Sequence, residues 1–364
     1  MPNFPKIAIV YLSYHCQPYL ARAYEAISKL NYPKENLALI IVDNLHPQQG
    51  SSESFIRTIT TATPPEPPLG KRGTATVILP QTVNLGYAEG NNVGIRWTLT
   101  NGFDYIYLHN QDGFMAPDCL TEAVKTMESH ANIGAVQSMV MLYPQTDLIN
   151  TSGNKYHFLG FGYSGDYKKP SLVPRPSSIE IGYASGAGVL LRADLLEQHG
   201  LLDADLFAYH EDLEYSLRLR SLGYTIEVAP QSVFYHEYEF QRNPQKIFYM
   251  ERNRWAVLIM YYRALTWILI APVLIITELG TLVYALATGA LKQKLTAYQY
   301  FLIGKNRSLW FNKRREIQKH RLVGDKQLLH AAVGKLELKD LNGPLVMVGN
   351  LFLNLYWDII RLFI

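Results

Sequence analysis

The chain has only two cysteines, Cys16 and Cys119, among its 364 residues. Two thiols provide neither a disulfide framework nor a zinc ligand set, so we expect a reducing compartment. The excess of charge is equally small, because 34 Lys and Arg against 31 Asp and Glu leave a net charge of +3. This near balance argues against a protein dedicated to nucleic acid. The apolar run at residues 7–10 is too short for the core of a signal peptide, so we expect none.

The glycine-rich stretch at residues 84–94 lacks the spacing of a dinucleotide fingerprint and the lysine of a phosphate loop. It reads Asn-Leu-Gly-Tyr-Ala-Glu-Gly-Asn-Asn-Val-Gly. Its three glycines permit a tight turn and a close approach of the backbone at the start of a helix. By itself the stretch is only a weak indication of phosphate binding.

Two short apolar runs, at residues 7–12 and 37–42, are typical of buried strands. A helix with one apolar face is predicted between them, and such a crossover implies that the strands are parallel. Asp43 follows the second run directly and therefore lies at the carboxyl end of a strand. A carboxylate there can accept hydrogen bonds from a base or a ribose, although a turn or helix-cap role is equally open.

Residues 105–109 have the composition of a strand and continue into Asn110, Gln111 and Asp112. In an open α/β sheet, ligands bind at the carboxyl ends of the strands, so Asp112 is predicted at the mouth of a crevice. A carboxylate in that place can hold Mg²⁺ or Mn²⁺ against the phosphates of a nucleotide. The alternative is that Asn110 and Asp112 simply end the strand, because both are common turn residues.

Asp43, residues 84–94 and residues 110–112, in that order, resemble a family-2 glycosyltransferase with a GT-A fold, in particular the bacterial rhamnosyltransferase-like branch. The resemblance extends over residues 5–260. It implies that Asp43 binds the nucleoside and that Asp112 is the metal-binding last residue of a degenerate Asp-x-Asp motif. The other residues that it implies for nucleotide-sugar binding are Ser13, Asn84, Gly86, Tyr87, Asn92, Asn110 and Gln111.

The sequence departs from the family pattern at two places. His15 stands where the family usually has asparagine after the first strand, and Leu45 and His46 replace a small residue and a serine. Both departures leave the preference for base and sugar open.

A second informative block joins residues 182–192 to residues 207–212. Its small residues allow close approach of the backbone to a ligand, and a helix is predicted to begin at Glu211. The acidic first turn also suits the helix dipole. By resemblance, however, this is the family's Glu-Asp motif, which gives Asp212 the role of the base that deprotonates an acceptor hydroxyl. Candidates for contact with the acceptor or the diphosphate are Ser185, Gly186 and Glu211.

Weaker candidates nearer the C-terminus are His236, Arg252 and Arg254. His236 ends a strand-like run, where a lone histidine is usually structural, but the resemblance implies contact with the metal or the diphosphate, and we expect it to be a second metal ligand. Arg252 and Arg254 resemble an Arg-Asn pair of the family and have the bidentate geometry that suits a diphosphate, although a solvated basic face is an equal alternative. Residues 150–178, rich in Gly, Tyr, Ser and Pro, are a candidate acceptor or lid region, with disorder as the alternative. Residues 62–73 are predicted to form a proline-rich loop.

The C-terminal part is different in character. Residues 264–291 carry one charge, Glu278, and are long enough to span a hydrocarbon core of ~30 Å. Residues 344–364 suit an amphipathic interfacial helix, or else a packed core helix. Cations that favour anionic lipid headgroups follow the apolar run; they are Lys292, Lys294, Lys305, Arg307, Lys313, Arg314, Arg315, Lys319 and Arg321. The positive-inside tendency and the cost of Glu278 in lipid favour a monotopic hairpin broken at Pro272, or an interfacial helical pair.

The sequence thus predicts an α/β protein with a GT-A-type mixed sheet flanked by helices, followed by membrane-associated helices. The predicted domains are a catalytic domain at 1–245, a linking and apolar segment at 246–291, and a basic interfacial region at 292–364. The expected activity is metal-dependent, inverting transfer of rhamnose or a hexose from a dTDP-, UDP- or GDP-sugar to a lipid-linked glycan. We expect it at the cytoplasmic face of the membrane, bound to anionic lipid and not to nucleic acid. The alternatives are a polyprenyl-phosphate sugar synthase, a nucleotidyltransferase and a non-catalytic sugar-binding module.

Overall fold

The computed structural model describes residues 4–62, 75–171, 176, 178–237, 244–337 and 343–364. Two units are distinguished in the chain. Unit 1 consists of Met1–Gly153, Ser164–Asp212 and Thr225–Glu239, and unit 2 of Asn154–Tyr163, Leu213–Tyr224 and Phe240–Ile364. The predicted proline-rich loop lies, except for Ala62, outside the described residues. The domain boundaries predicted at residues 245 and 291 stay predictions.

The strands, in chain order, are β1 (Ile7–Ser13), β2 (Leu37–Asp43), β3 (Ala75–Pro80), β4 (Tyr105–Asn110), β5 (Gly113–Met115), β6 (Ile133–Leu142), β7 (Ile149–Thr151), β8 (Asn154–Tyr156), β9 (Gly162–Ser164), β10 (Ile179–Glu180), β11 (Gly188–Arg192) and β12 (Thr225–His236). The helices are α1 (Leu20–Ser28), α2 (Glu53–Ala62), α3 (Gly86–Thr100), α4 (Cys119–Ser129), α5 (Ala193–His199), α6 (Glu211–Ser221), α7 (Pro244–Tyr261), α8 (Ala264–Ala287), α9 (Leu291–Leu302), α10 (Gly304–His320), α11 (Asp325–Leu328) and α12 (Pro344–Ile360).

Unit 1 is built on a mixed sheet with the strand order β10-β12-β6-β11-β4-β1-β2-β3, in which β5 also pairs with β12 and β7 with β6. The parallel pairing predicted for β1 and β2 is confirmed. β4 is parallel to β1, whereas β11 runs antiparallel between β4 and β6. In this register Ser13 lies opposite Asp43, and Leu12 lies opposite Asn110. The carboxyl ends of β1, β2 and β4 therefore meet at one edge of the sheet.

All seven residues of β1 and of β2 are buried. Near-continuous apolar strands of this kind are expected where helices cover both faces of a parallel sheet. The predicted apolar face of α1 is confirmed by its buried residues Leu20, Tyr24 and Ile27. They join side chains of β1, β2 and β4 in one core. The two cysteines are also buried, and both are free thiols.

Two glycines let α3 lie unusually close to β1. A Cβ atom on Gly94 would lie 2.5 Å from Val10 Cγ1, and one on Gly90 would lie 2.7 Å from Leu12 Cδ1. Gly86, at the start of the helix, has a φ of +75°, a left-handed conformation that favours glycine. The predicted close approach at the head of a helix is confirmed, and the neighbour approached by Gly90 and Gly94 is the sheet.

Unit 2 contains a buried network of charges on three helices. Arg254 of α7 lies 2.7 Å from Glu251 of the same helix and 2.5 Å from Glu278 of α8. Lys294 of α9 lies 2.8 Å from Glu251 and 3.1 Å from Glu278. Burial would raise the pKa of Glu251, but the two cations outweigh it and lower that pKa to about 2. The Glu251 carboxylate is therefore ionised, and the network ties the three helices together.

Helix α8 continues through Pro272, so the break expected at this proline is wrong. Ile270 and Val273 on either side of it are buried, and this packing holds the helix although proline removes one backbone donor. The chain instead leaves the helix after Ala287 and enters α9 at Leu291. Within the described residues, α8 is the one helix long and apolar enough to cross a membrane.

Candidate active site

The edge of the sheet at the carboxyl ends of β1, β2 and β4 gathers most of the predicted site residues. Asp112 lies between β4 and β5. The antiparallel pairing of β5 with β12 places Gly113 opposite His236. Gly188, the first residue of the antiparallel β11, pairs with His109 of β4. The loop before β11 therefore reaches the same edge, where the Asn110 backbone N–H donates to the carbonyl of Ala187 at 3.0 Å.

Asp112 and His236 lie side by side. His236 Nε2 is 2.8 Å from Asp112 Oδ1, and the Asn110 side-chain amide donates to that same oxygen at 2.6 Å. Asn150, on β7, places its Oδ1 3.5 Å from His236 Nδ1. His236 is only 5% exposed, so its ring is held in place by this set of neighbours.

The Asp112–His236 pair fits a divalent cation whose other ligands come from a substrate and from water. Among the described residues no group of three or more His, Cys, Asp or Glu side chains could hold a metal ion. Mg²⁺ usually takes one or two protein carboxylates and completes its shell with phosphate oxygens and water. One carboxylate and one imidazole at 2.8 Å agree with such a shared site, in which Asp112 and His236 would be the protein ligands.

Asp43 is 1% exposed and already has partners in its own loop. Its carboxylate accepts a hydrogen bond from the Ser52 backbone N–H at 3.0 Å and another from the Ser51 hydroxyl. Asp43 therefore fixes the turn that leads into α2. Ser13, opposite it on β1, is fully buried. The nucleoside-binding role of both residues stays a prediction.

The polar residues around the start of α3 hold the backbone of their own loop. Asn44 Oδ1 accepts from the Leu85 N–H at 2.8 Å, and its amide donates to Asn84 Oδ1 at 3.2 Å. Asn84 Oδ1 also accepts from the Gly86 N–H at 2.9 Å. Asn92 is 2% exposed and bonds both backbone groups of Leu202, at 2.8 and 3.1 Å. These side chains shape the loop from within.

Gln111, directly after β4, has a comparable function. Its Oε1 accepts from the backbone N–H groups of Tyr14 and His15, at 2.8 and 2.7 Å. The two positions that depart from the family pattern lie beside this turn: His15 contacts Gln49, and the His46 ring lies 4.6 Å from the Tyr14 ring. Both histidines are half-exposed.

Asp212 is the second residue of α6 and is half-buried. Its Oδ2 accepts from the Gly186 backbone N–H at 3.1 Å. The Ser185 N–H donates to Gln137 Oε1 at 2.8 Å, and the Tyr87 hydroxyl donates to the Gly186 carbonyl at 2.5 Å. Ser185, Gly186 and Asp212 are therefore brought together, on the sheet edge that also carries Asp112.

The neighbouring acid, Glu211, is in a different environment. It is 6% exposed, and its Oε2 has no hydrogen-bond partner among the described residues. Burial, and then the charge of Asp212, raise the pKa of Glu211 well above its usual value. Its surroundings therefore favour the protonated form of Glu211 beside Asp212.

The segment that precedes these acids is strained. Phe207, Tyr209 and His210 have φ values of 64°, 67° and 69°, in the left-handed region that non-glycine residues rarely adopt. The Phe207 carbonyl accepts from the N–H groups of Tyr87 and Ala88, at 2.7 and 3.1 Å. Strained backbone of this kind concentrates at functional sites.

Arg252 and Arg254 belong to unit 2. Arg254 is 1% exposed and serves the buried charge network. The Arg252 Nε donates to Asn253 Oδ1 at 2.8 Å, and its guanidinium lies 5.0 Å from the centre of the Tyr249 ring. Their predicted contact with a diphosphate stays a prediction.

Sequence reasoning did not single out Asn44, Gln137 or Asn150. Gln137 left a signal, since it is an amide within the buried strand β6 and needed a partner. Asn44 and Asn150 left none, because a single asparagine in a loop or short strand has many ordinary roles.

Two family models match the chain. The model described as "Glycosyl transferase family 2" matches residues 8–200, and "Glycosyl transferase family group 2" matches residues 105–311. The matches thus place the chain among the glycosyltransferase families. More particularly, the chain belongs to glycosyltransferase family 2, and the recognition of this family from the sequence is confirmed. A search of curated proteins finds no match.

Solved structures share the fold at low sequence identity. One is GalNAc-T7 with UDP, GalNAc and Mn²⁺, 11% identical, with a TM-score of 0.57 over 72% of this chain and 49% of that one. Our chain thus spans about half the length of that neighbour. Another is the mannosyltransferase PcManGT from Pyrobaculum calidifontis with GDP-Man and Mn²⁺, 16% identical, with a TM-score of 0.53 over 88% and 86%. The predicted GT-A mixed sheet is confirmed.

Proposed function

We propose that this protein is an inverting, metal-dependent glycosyltransferase that moves rhamnose or a hexose from a nucleotide sugar to a hydroxyl of a lipid-linked glycan. The observation that carries the proposal is that one loop joins Asp212 to the Asp112–His236 pair. The Gly186 N–H donates to Asp212, and the next carbonyl, of Ala187, accepts from Asn110, whose side chain donates to Asp112. Burial is the largest cause that raises the pKa of the Tyr87 hydroxyl, and the charges of Glu211, Asp212 and Asp112 raise it further. This hydroxyl therefore interacts electrostatically with both Asp212 and Asp112.

In this mechanism Asp212 accepts the proton of the acceptor hydroxyl. The hydroxyl oxygen forms a bond to the anomeric carbon while the bond from that carbon to the diphosphate oxygen breaks, and the nucleoside diphosphate leaves with the electron pair. Attack opposite the leaving group inverts the anomeric centre. Burial raises the pKa of Glu211 and disfavours the ionised form that a base needs, which supports Asp212 as the base.

Asp112 and His236 would hold the divalent metal, Mg²⁺ or Mn²⁺, which supplies positive charge beside the departing diphosphate. Their 2.8 Å separation supports this assignment. Asn110 orients Asp112 through its 2.6 Å hydrogen bond. The two structural neighbours were solved with Mn²⁺ and with UDP or GDP-Man. For this chain we propose dTDP-rhamnose or a UDP-hexose as donor, with a GDP-sugar as a further candidate.

Asp212→Asn tests the proposal. The amide keeps the shape of the side chain but does not accept a proton, so we expect the loss of transfer with donor affinity within about twofold of wild type. Transfer is measured as release of nucleoside diphosphate, and donor affinity by calorimetry with Mn²⁺. Asp104→Asn, at the opposite end of β4, is the matched control and is expected to remain active. An Asp212→Asn variant that folds and transfers within about tenfold of wild type removes Asp212 from this role.

The products of the same assay separate the alternatives. Release of pyrophosphate would identify a nucleotidyltransferase. Turnover with bare polyprenyl phosphate would identify a polyprenyl-phosphate sugar synthase. Donor binding without turnover of any acceptor would leave a sugar-binding module.

We further propose that unit 2 attaches the enzyme to a membrane. α8 exposes a row of aliphatic side chains over its length: Leu265, Ile268, Ile275, Ile276, Leu279, Val283 and Leu286. α12 exposes another: Met347, Val348, Leu351, Phe352, Leu355 and Ile359. Exposed apolar surface of this size is typical of a protein or membrane contact.

Glu278 supports an interfacial position of α8 over a crossing. A helix surrounded by lipid would place this carboxylate near the hydrocarbon centre at high cost. Here Glu278 is paired with Arg254 and Lys294, so one side of α8 is committed to charged neighbours of its own unit. Only the other side is available to lipid, which agrees with a monotopic protein.

Not all of the cations after α8 are exposed. Arg314 donates to the carbonyls of Ile259 and Tyr262, and Arg321 to that of Tyr261, so both complete the end of α7. The exposed members are Lys292, Lys305, Arg307, Arg315 and Lys319. We propose that these face anionic headgroups of the cytoplasmic leaflet, where a donor nucleotide sugar is available.

A further inference from the structure

Gly186 is a bridge of two hydrogen bonds between Tyr87 and Asp212. Its carbonyl accepts from the Tyr87 hydroxyl at 2.5 Å, and its N–H donates to Asp212 Oδ2 at 3.1 Å. Both bonds belong to one residue, so the position of the tyrosine hydroxyl determines where the donor to the carboxylate lies.

The bridge is fitted closely around the tyrosine ring. A Cβ atom on Gly186 would lie 2.5 Å from the Tyr87 hydroxyl oxygen and 3.1 Å from Cζ. The loop on either side is fixed by the Ser185 bond to Gln137 and by the Asn110 bond to Ala187. Tyr87 is therefore a further support of this loop, and it bonds the residue that donates to Asp212.

Tyr87 also holds the segment that leads into the base. Its backbone N–H donates to the Phe207 carbonyl at 2.7 Å. Phe207 opens the strained stretch with Tyr209 and His210, which α6 and Asp212 follow directly. Tyr87 thus restrains Asp212 in two ways. It holds the backbone that precedes Asp212, and through Gly186 it holds the donor to the Asp212 carboxylate.

We propose that Tyr87 is a positioning residue for the base Asp212, acting through Gly186, and that it contributes to transfer in this way and not by binding the nucleotide. The inference rests on the proposed function, which makes Asp212 the base.

The electrostatics agree with the geometry. Burial, and then the charges of Glu211, Asp212 and Asp112, raise the pKa of the Tyr87 hydroxyl well above its usual value, so it remains a donor. An amide N–H that donates to a carboxylate favours the ionised carboxylate. Loss of the support therefore makes ionisation of Asp212 less favourable.

Tyr87→Phe removes the hydroxyl and keeps the ring. We expect kcat to fall about tenfold or more while the Kd for the donor stays within about twofold of wild type. The acidic limb of the pH profile of kcat should move to higher pH. Tyr32→Phe is the matched control, because Tyr32 donates to the Pro5 carbonyl at 2.7 Å, near the opposite end of β1. That variant is expected to keep both kcat and the pH profile.

Gly186→Ala tests the bridge from its other end and carries the test if Tyr87→Phe does not fold. It should also lower kcat with donor affinity retained. In the Asp212→Asn background, Tyr87→Phe should cause no further loss, because its effect passes through Asp212.

The outcomes separate this inference from the proposed function. A weaker donor Kd with unchanged kcat in Tyr87→Phe would assign Tyr87 to the nucleotide and overturn the inference. An unchanged pH profile with full kcat in Tyr87→Phe would also overturn the inference. In that case an inactive Asp212→Asn would still support Asp212 as the base. An active Asp212→Asn would instead reject the base itself.

Discussion

At the scale of single residues, the polar side chains at the sheet edge fall into two groups. Asp43, Asn92 and Gln111 spend their hydrogen bonds on the backbone of neighbouring loops. Asp112 and His236 instead direct a carboxylate oxygen and a ring nitrogen at each other. The first group fixes the loops at the sheet edge, whereas the second is the pair that we propose as ligands of a cation.

Asp112→Ala tests the cation site. The variant loses the anionic ligand, so we expect donor affinity with Mn²⁺ to fall about tenfold or more, equal to ~1.4 kcal/mol. Without Mn²⁺ its donor affinity should match that of wild type. Titration calorimetry of the donor with and without the metal measures both. Equal losses in the two conditions would make Asp112 a structural residue.

His236→Ala should give a smaller loss of the same metal-linked kind. His130→Ala is its control, since His130 is exposed at the end of α4 and should leave donor binding unchanged. A His236→Ala variant with wild-type metal dependence would return His236 to a structural role.

At the scale of elements, the contact of α3 with β1 depends on glycine. In the sequence, Gly90 and Gly94 are a weak indication of a phosphate loop. In the fold they serve helix–sheet packing, because Val10 and Leu12 leave no room for a Cβ atom. This packing sets the height of the α3 N-terminus, and with it Tyr87, over the sheet edge.

Gly94→Ala should destabilise the protein by about 1–3 kcal/mol, because the added methyl overpacks against Val10 and Val42. Gly280→Ala is the matched control within a helix, since nothing lies within 4 Å of its Cβ position. There alanine should stabilise by about 0.5–1 kcal/mol through helix propensity. Urea unfolding of the two variants measures both values. Similar small effects at the two sites would show that α3 does not pack as closely as described.

Helix α8 shows the other side of element-scale reasoning. The hydropathy of α8 alone suggests a membrane span. Glu278 alone suggests an unpaired charge that would be costly in lipid. The charged partners of Glu278 are Arg254, 24 residues before it, and Lys294, 16 residues after it. No period within α8 reveals them, because they come from other helices.

At the scale of the whole molecule, the chain combines a sheet unit that carries the candidate active site with a helical unit that exposes apolar surface. Our proposal keeps both on the cytoplasmic side. It therefore excludes a crossing by α8 that would separate Ser54 of unit 1 from Ser308 of α10.

Labelling with an impermeant maleimide tests this arrangement. Ser54→Cys and Ser308→Cys replace exposed serines, and the unaltered chain serves as the blank because Cys16 and Cys119 are buried. In sealed right-side-out vesicles both new thiols should stay unlabelled until the membrane is opened. Labelling of Ser308→Cys alone in sealed vesicles would establish a crossing and reject the monotopic arrangement.

The sequence by itself determined the family, the parallel β1–α1–β2 unit and the strand ends that carry Asp43 and Asp112. It could do so because apolar runs, strand ends and family motifs are local in the chain. Only the tertiary structure brought together His236 with Asp112, Gly186 with Asp212, and Glu278 with its two cations. Those contacts join residues 124, 26, and 24 and 16 positions apart. They depend on strand order and helix packing, which no local pattern encodes.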